Sequence, residues 1–454
     1  MKKYSVLDYG CEPGSGKIQT KFIQSAVDAC FLSGGGEVVF PGGDYLTGDI
    51  RLRSNVYLHL EKGAHLIGTR NPDDYFNWHG DSLEPLGDEY ITDCLWEPAD
   101  KKDRDYSFMC KPGSRWNNGI IRAVFAENCG IIGDEGSYID GCDCYDEQNE
   151  EQYRGPHAVS MWYCRNVRLC GYTVQNSGNW AHALHRCENI DAKNITVLAG
   201  HDGFHPTCCK NVYITDCDFY TGDDCIAGYA NINVFVSGCR LNSACSALRL
   251  GATNAVIEKC RIWGPCRYTF RKFLTLEEKK SGAAPKSSGM RTNMLSAFTY
   301  YSDTAFPTIC RPGNIVMKDC EIDFADRLFH YNFSGNETWQ KGYAMDSFTF
   351  ENIRAENIAM PLVCYGKDDC RIDFKMTDSL VSYRKGCENV PFIHANNYRS
   401  IELKNVELKN NVYSPCILTW QSGGEICMQN LRSDIPEQKF EIGAANSDFA
   451  CESI

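Results

Sequence analysis

Residues 200–229 read GHDGFHPTCCKNVYITDCDFYTGDDCIAGY, and much of the chain repeats the rhythm of this stretch. An Asn followed closely by an aliphatic residue recurs at Asn166-Val167, Asn189-Ile190, Asn211-Val212, Asn233-Val234 and Asn254, in steps of 23, 22, 22 and 21. Cysteines keep the same beat. Cys164, Cys187 and Cys209 stand two residues before the Asn, while Cys217, Cys239 and Cys260 stand six after it. Self-similarity at a fixed period marks stacked supersecondary units, and about 22 residues is too short for a βαβ unit. It suits one coil of a parallel β-helix: three short strands and three turns, with equivalent residues stacked about 4.8 Å apart. The fold expected is all-β, a single-stranded solenoid. Each turn Asn is expected to bond the backbone of its own coil, and the cysteines to form small apolar stacks inside.

Toward the N terminus the period changes. Within IQTKFIQSAVDACFL (18–32), Phe22, Ile23, Ala26, Val27 and Cys30 fall at helical spacing, with Thr20 as N-cap and Ser33-Gly34-Gly35-Gly36 as the stop. EVVF, DYLTGDIRL, NVYLHL and AHLIGT then read as short strands parted by tight turns. A helix ahead of such strands predicts an N-terminal helical cap on the solenoid. Toward the C terminus the phase returns at Asn314-Ile315 (Cys320 again six on), Asn352-Ile353, Asn389-Val390 and Asn405-Val406. The whole chain, 1–454, is therefore expected to be one β-helix domain. Two segments break the rhythm, 71–118 and 263–308. Insertions in solenoids emerge as loops, so these either wall a cleft or cover an end or an oligomer contact.

Composition narrows the function. The chain has 454 residues, 43% of them hydrophobic and 12% aromatic, which is the make-up of a folded protein. A net charge of −13 argues against nucleic acid or an anionic membrane as the main partner, without excluding an anionic sugar. The opening MKKYSVLDYG has no apolar stretch of signal-peptide type, and no run is long and apolar enough for a membrane helix. The 26 cysteines include no Cys-x-x-Cys pair. Reduced, buried thiols in a cytoplasmic protein are therefore expected, with no metal. The oligomeric state is left open.

The acids carry the chemistry. Asp202 and Asp224 each lie nine residues before a repeat Asn, so the period stacks them on successive coils, with Asp223 alongside. Trp180 and Asn179 fill the same two slots one coil earlier, and His201 is level with Asp223. Carboxylates packed this closely relieve their repulsion by holding a proton or binding a cation. A shared proton supplies a general acid beside a general base, the groups that cleave a glycosidic bond. A bound Ca²⁺ suits a polysaccharide lyase instead. Stacked acids that merely cap turns are the third option. His205 and His182, 23 residues apart, either pair on a cleft floor or are ordinary buried, hydrogen-bonded histidines, and Trp180 and Tyr229 either stack on a sugar or pack in the core. His201-x-x-x-His205 has helix-type metal spacing, but it is not in a helix, which discounts zinc.

On these residues the chain resembles glycoside hydrolase family 28, the polygalacturonase family. The likeness lies in GGGEVVFPGGDYLTGDIRLRSNVYLHLEKGAHL, in NSGNWAHALHRCENI, and in HDG…TGDDCIA, and it fades after about residue 262. The resemblance implies a right-handed parallel β-helix. It implies Asp223 as general acid, with Asp202 and Asp224 holding the attacking water, and inversion at the anomeric centre without a cofactor. Gly222-Asp223-Asp224 keeps the family's Gly-Asp-Asp motif, whereas Asn-Thr-Asp is kept only at Asp202. Ser246 stands where the family's Gly-His-Gly has its histidine, as rhamnogalacturonan hydrolases of the family also lack it. The Arg-x-Lys pair that grips galacturonate has no clean match. Arg249 is the expected replacement, with Arg267, Arg271 and Lys272 as further candidates if the second insertion folds back. The leading expectation is a cytoplasmic inverting hydrolase of oligosaccharides from pectin, uronate- or rhamnose-containing. A lyase or epimerase, or a non-catalytic glycan-binding β-helix, are the alternatives.

Overall fold

The computed structural model describes residues 1–75, 109, 114–149, 154–270, 291–303, 310–335, 337, 339–420, 422–436 and 438–445. Strands dominate, each pairing in parallel with the equivalent strand of the next coil, in a right-handed β-helix. The chain falls into two compact units. The first comprises Met1–Asp223 with residues 268–270; the second comprises Asp224–Arg267 and the described residues from 291 onward.

In the first unit a coil is three strands joined by sharp corners. His157–Trp162, His182–His185 and Phe204–Thr207 stack as one face, with Val159 opposite His182 and His182 opposite Phe204. Arg165–Cys170, Glu188–Lys193 and Lys210–Thr215 form the second, and Thr173–Gln175, Thr196–Ala199 and Asp218–Thr221 the third. The N-terminal helix, Thr20–Leu32, buries Ile23, Ala26, Val27 and Cys30 and leaves Phe22 exposed. Its N-cap is Gln19, not Thr20. The Thr20 hydroxyl instead accepts the Gly48 N–H at 2.7 Å, fastening the helix to the neighbouring coil.

The asparagine ladder works differently from the expectation. Asn55, Asn128, Asn166, Asn189 and Asn211 all have φ between 53° and 61°. In this left-handed region asparagine is tolerated where most residues are strained. From Asn128 on, each side-chain amide donates to the side-chain carbonyl of the asparagine one coil back, at 2.9–3.0 Å. The bonds run between coils, because a left-handed corner turns the side chain along the stack.

The second unit has a ladder of its own from Asn233 through Asn254 to Asn314, at 3.2 and 3.0 Å. There the phase shifts. Asn352 bonds Asp319, and Asn405 and Asn430 follow Asp378, all at the next corner of the coil. Asn389 lies between strands. The later asparagines therefore mark a different corner from the earlier ones. The core of this unit carries an aromatic stack, Phe298, Phe329, Phe348 and Phe374. The cysteine columns are buried in both units, as small apolar stacks should be, and the described cysteines are free thiols.

Candidate active site

In the first unit, the backbone bonds Ala158 N→Trp180 O and Ala181 N→Asp202 O put His157, Trp180 and Asp202 on successive coils of one column. Asp202 lies just ahead of the strand Phe204–Thr207, which carries His205. His205 Nδ1 is 2.8 Å from Asp202 Oδ2, and both side chains are buried. The Trp180 indole covers the imidazole, with ring centres 3.6 Å apart and planes 7° from parallel. Trp116 meets Trp180 edge-on at 5.6 Å, and His157 lies 5.4 Å from the same ring. Aromatic rings thus hold the Asp202–His205 pair in one orientation.

Gly222 fixes the approach to Asp223. Its N–H bonds Ala199 O at 2.9 Å, and a Cβ there would lie 2.2 Å from Thr269 O and 2.5 Å from Gly200 O. Only glycine fits, which gives the motif's first residue a steric reason. The Asp223 side chain is 19% exposed, against 7% for Asp202. Arg154 Nη2 lies 3.9 Å from Asp223 Oδ2. The same guanidinium reaches Asn179 Oδ1 at 3.4 Å and sits over the Trp116 ring, 5.5 Å from its centre.

Asp224 opens the second unit. Its Oδ2 accepts Arg249 Nε at 2.6 Å and its Oδ1 accepts the Ser246 N–H at 2.9 Å, in a side chain only 5% exposed. The Ser246 hydroxyl, in the slot of the family's histidine, bonds Thr299 Oγ1 at 3.0 Å.

Four sequence expectations need correction. Trp180 is buried and stacks on His205 rather than offering its face to a sugar. His182 is opposite Phe204, one residue out of register with His205, so it shares the face of Phe204. It is fully buried, with Tyr172 OH at 2.9 Å from Nε2 and Gly203 O at 3.1 Å from Nδ1. Burial pushes its imidazole down to about 4, so it is a neutral core residue. The coil step here is 22 residues, not 23, and one residue moves a strand side chain to the opposite face. Arg249 does grip a carboxylate, but that of Asp224. Tyr229 is 4% exposed and packs on Tyr301 with ring centres 4.7 Å apart, where a sugar has no access to its face.

His201 is buried and edge-on to Phe270 at 6.3 Å. Burial, with the charge of Arg154, pushes it well below the usual histidine range. Thr269 and Phe270 belong to the second insertion, expected either to wall a cleft or to cover an end or an oligomer contact, and they lie against Gly222 and His201. Arg267 is exposed; its backbone N–H bonds Asn242 Oδ1 at 2.7 Å. Arg271, Lys272 and most of 71–118 lie outside the described residues.

Arg154, Trp116 and His157 were missed in the sequence. His157 was findable, since it lies 23 residues before Trp180 in the same column. Trp116 stands inside an insertion without a period. Arg154 enters through a loop held by a bridge to Tyr145, which no repeat announces.

Residues 116–244 match the family model described as glycosyl hydrolases family 28. A probable polygalacturonase of Vitis vinifera is 28% identical over 236 residues, 49% of this chain and 43% of that protein. A polygalacturonase of Saccharomyces cerevisiae is 24% identical over 123 residues, 25% of this chain and 34% of that protein. The chain thus spans less than half the length of the curated relatives it matches. Among solved structures, an exopolygalacturonase of Thermotoga maritima aligns over 90% of this chain and 91% of its own, with TM-score 0.61 and 17% identity. A family 28 exopolygalacturonase of Yersinia enterocolitica aligns over 98% and 78%, with TM-score 0.55 and 17% identity. These likenesses bear out the right-handed parallel β-helix and the resemblance to family 28, the latter concentrated in the stretch that holds the aspartates.

Proposed function

We propose that this chain is a glycoside hydrolase of the polygalacturonase type, cleaving pectin-derived oligosaccharides with inversion at the anomeric carbon. The observation that carries the proposal is the contrast among the three aspartates. Asp202 is bonded to His205, and Asp224 to Arg249 and Ser246, both in side chains at most 7% exposed. Asp223 is 19% exposed, so its carboxyl is the one best able to reach a glycosidic oxygen.

In this reading Asp223 donates its proton to the leaving oxygen. Asp202 and Asp224, held by their bonding partners, orient a water and accept its proton as it attacks the opposite face of the sugar. His205 keeps Asp202 in place. The reaction asks for no cofactor. Uronate- and rhamnose-containing oligosaccharides are the substrate class the family likeness supports. We place the reaction in a reducing, cytoplasmic compartment, a reading supported by the free thiols.

The test is a panel of oligogalacturonide, rhamnogalacturonan and neutral oligosaccharides, with early products read by proton NMR. The expected result is a new reducing end of inverted configuration, abolished by Asp223→Asn. A vinylic proton from an unsaturated uronate would move the chain to the lyases. Identical behaviour of the parent and Asp223→Asn in every assay would sink the hydrolase.

A further inference from the structure

The second unit carries a groove of about 470 Å³ whose lining includes two thiols and two cations, Cys310 and Cys370 with Arg311 and Lys367, and none of the three aspartates. Cys370 closes a tight turn: Lys367 N–H donates to Cys370 O at 3.3 Å, and Cys370 N–H to Lys367 O at 3.0 Å. Arg311 reaches it from another stretch of chain, and its Nη2 donates to Cys370 Sγ at 3.0 Å. The same guanidinium pairs with Asp346 at 3.2 Å, and Lys367 with Asp369 at 3.4 Å. Backbone bonds fasten the arginine's segment, Thr253 Oγ1 donating to Arg311 O at 2.8 Å and Asp346 N–H to Pro312 O at 2.9 Å. The thiolate is the form of cysteine that attacks, and a cation at the sulfur favours it. Other thiols meet one of the conditions for reaction but not both. Cys245 accepts Arg249 Nη2 at 3.2 Å, yet it is buried. Burial pushes the thiols of Cys142, Cys208 and Cys266 up, although each has an arginine near it. Cys370 is half-buried, so it joins access from solvent to a guanidinium on its sulfur.

We infer that Cys370 is a modification site, forming a mixed disulfide with a small carboxylate-bearing thiol that arrives as its own disulfide. The Cys370 proton goes to solvent, and the sulfur attacks one sulfur of the incoming disulfide. The new S–S bond forms as the old one breaks. The other half leaves as a thiolate and takes a proton from water, so Cys370 is oxidised and the departing half reduced. Arg311 and Lys367 give the attached half's carboxylates two cations to meet, and a groove of this volume has room for a small ligand. The site is independent of the hydrolase reading.

Glutathione disulfide, which carries carboxylates, and cystamine, which carries none, are the probes, and peptide mass spectrometry reads the site and rate of attachment on the full chain. Cys310 and Cys427 are more exposed than Cys370 and serve as internal references. With glutathione disulfide the parent is expected to be modified at Cys370 first. Attachment at Cys310 and Cys427 ahead of Cys370 would mean that exposure alone sets the order, and would overturn the inference without any variant. Arg311→Gln is expected to slow attachment at Cys370 relative to Cys427 about 2- to 5-fold, the weight of a half-exposed ion pair. The same variant should lower the preference of Cys370 for glutathione disulfide over cystamine. A Cys370 rate and preference unmoved by Arg311→Gln would show that the guanidinium does nothing for the sulfur, and would overturn the inference too.

Discussion

His205 Nδ1 lies 2.8 Å from Asp202 Oδ2, beneath the face of Trp180. Removing the imidazole leaves a buried carboxylate without this bond and lets it turn. His205→Ala is therefore expected to lower kcat about 10- to 100-fold with a smaller change in KM, the effect of one lost bond to a charged group. Steady-state kinetics on the cleaved oligosaccharide checks this. An unchanged kcat would show that Asp202 needs no positioning.

Arg249 and Asp224 form a partner pair in the second unit, 2.6 Å apart and mostly buried. Taking away the cation strands a carboxylate out of water. Arg249→Ala should destabilise the fold by about 3 kcal/mol, read as a lower urea midpoint, while Arg249→Lys recovers part of the loss. If Arg249 instead served only a bound sugar, the midpoint would stay where it is.

Asn189 both donates to Asn166 and accepts from Asn211, and it holds φ at 57°. Asn189→Ala loses two bonds and strains the corner, at a cost of about 2 kcal/mol. Asn189→Gly relieves the strain but not the lost bonds, so its midpoint should lie between those of Ala and the parent. Equal midpoints for Ala and Gly would remove the conformational part of this account.

Burial holds His182 down at about 4 and His157 at about 3. An unfolded histidine titrates near 6.5. Below that pH the unfolded chain takes up protons that the folded chain refuses, so stability is full above pH 6.5 and falls as the pH drops toward 4. Each group contributes at most about 1.4 kcal/mol per pH unit across its window. His182→Gln, neutral at every pH, should flatten the decline between pH 6.5 and 4.5. Urea midpoints at several pH values test it, and parallel curves for parent and variant would contradict it.

Much of this site was legible because a parallel coil converts sequence spacing into position. The step from Trp180 to Asp202 is 22 residues, and the two do stand on successive coils. Asn and Cys recurrence located the corners and the interior by the same logic, and Gly222 could be read as part of a motif before its steric cause was visible. Spacing misleads where one residue matters. His182 and His205 are 23 residues apart, but the coil step there is 22, and the single extra residue places His182 on the face of Phe204.

By itself, the sequence determined the repeating coil, the columns in which Trp180 and Asp202 stand, and the likeness to family 28 around the aspartates. Those follow from periodicity, because parallel pairing holds equivalent residues in register from coil to coil. Only the tertiary structure decided that Arg249 belongs to Asp224, that Tyr229 packs on Tyr301, and that Arg154 stands beside Asp223. Side-chain partnership depends on charge, burial and rotamer together, and a loop such as the one bringing in Arg154 carries no period. Its resting place is settled by the Tyr145 bridge and the Trp116 ring it meets, contacts that exist only once the coils are stacked.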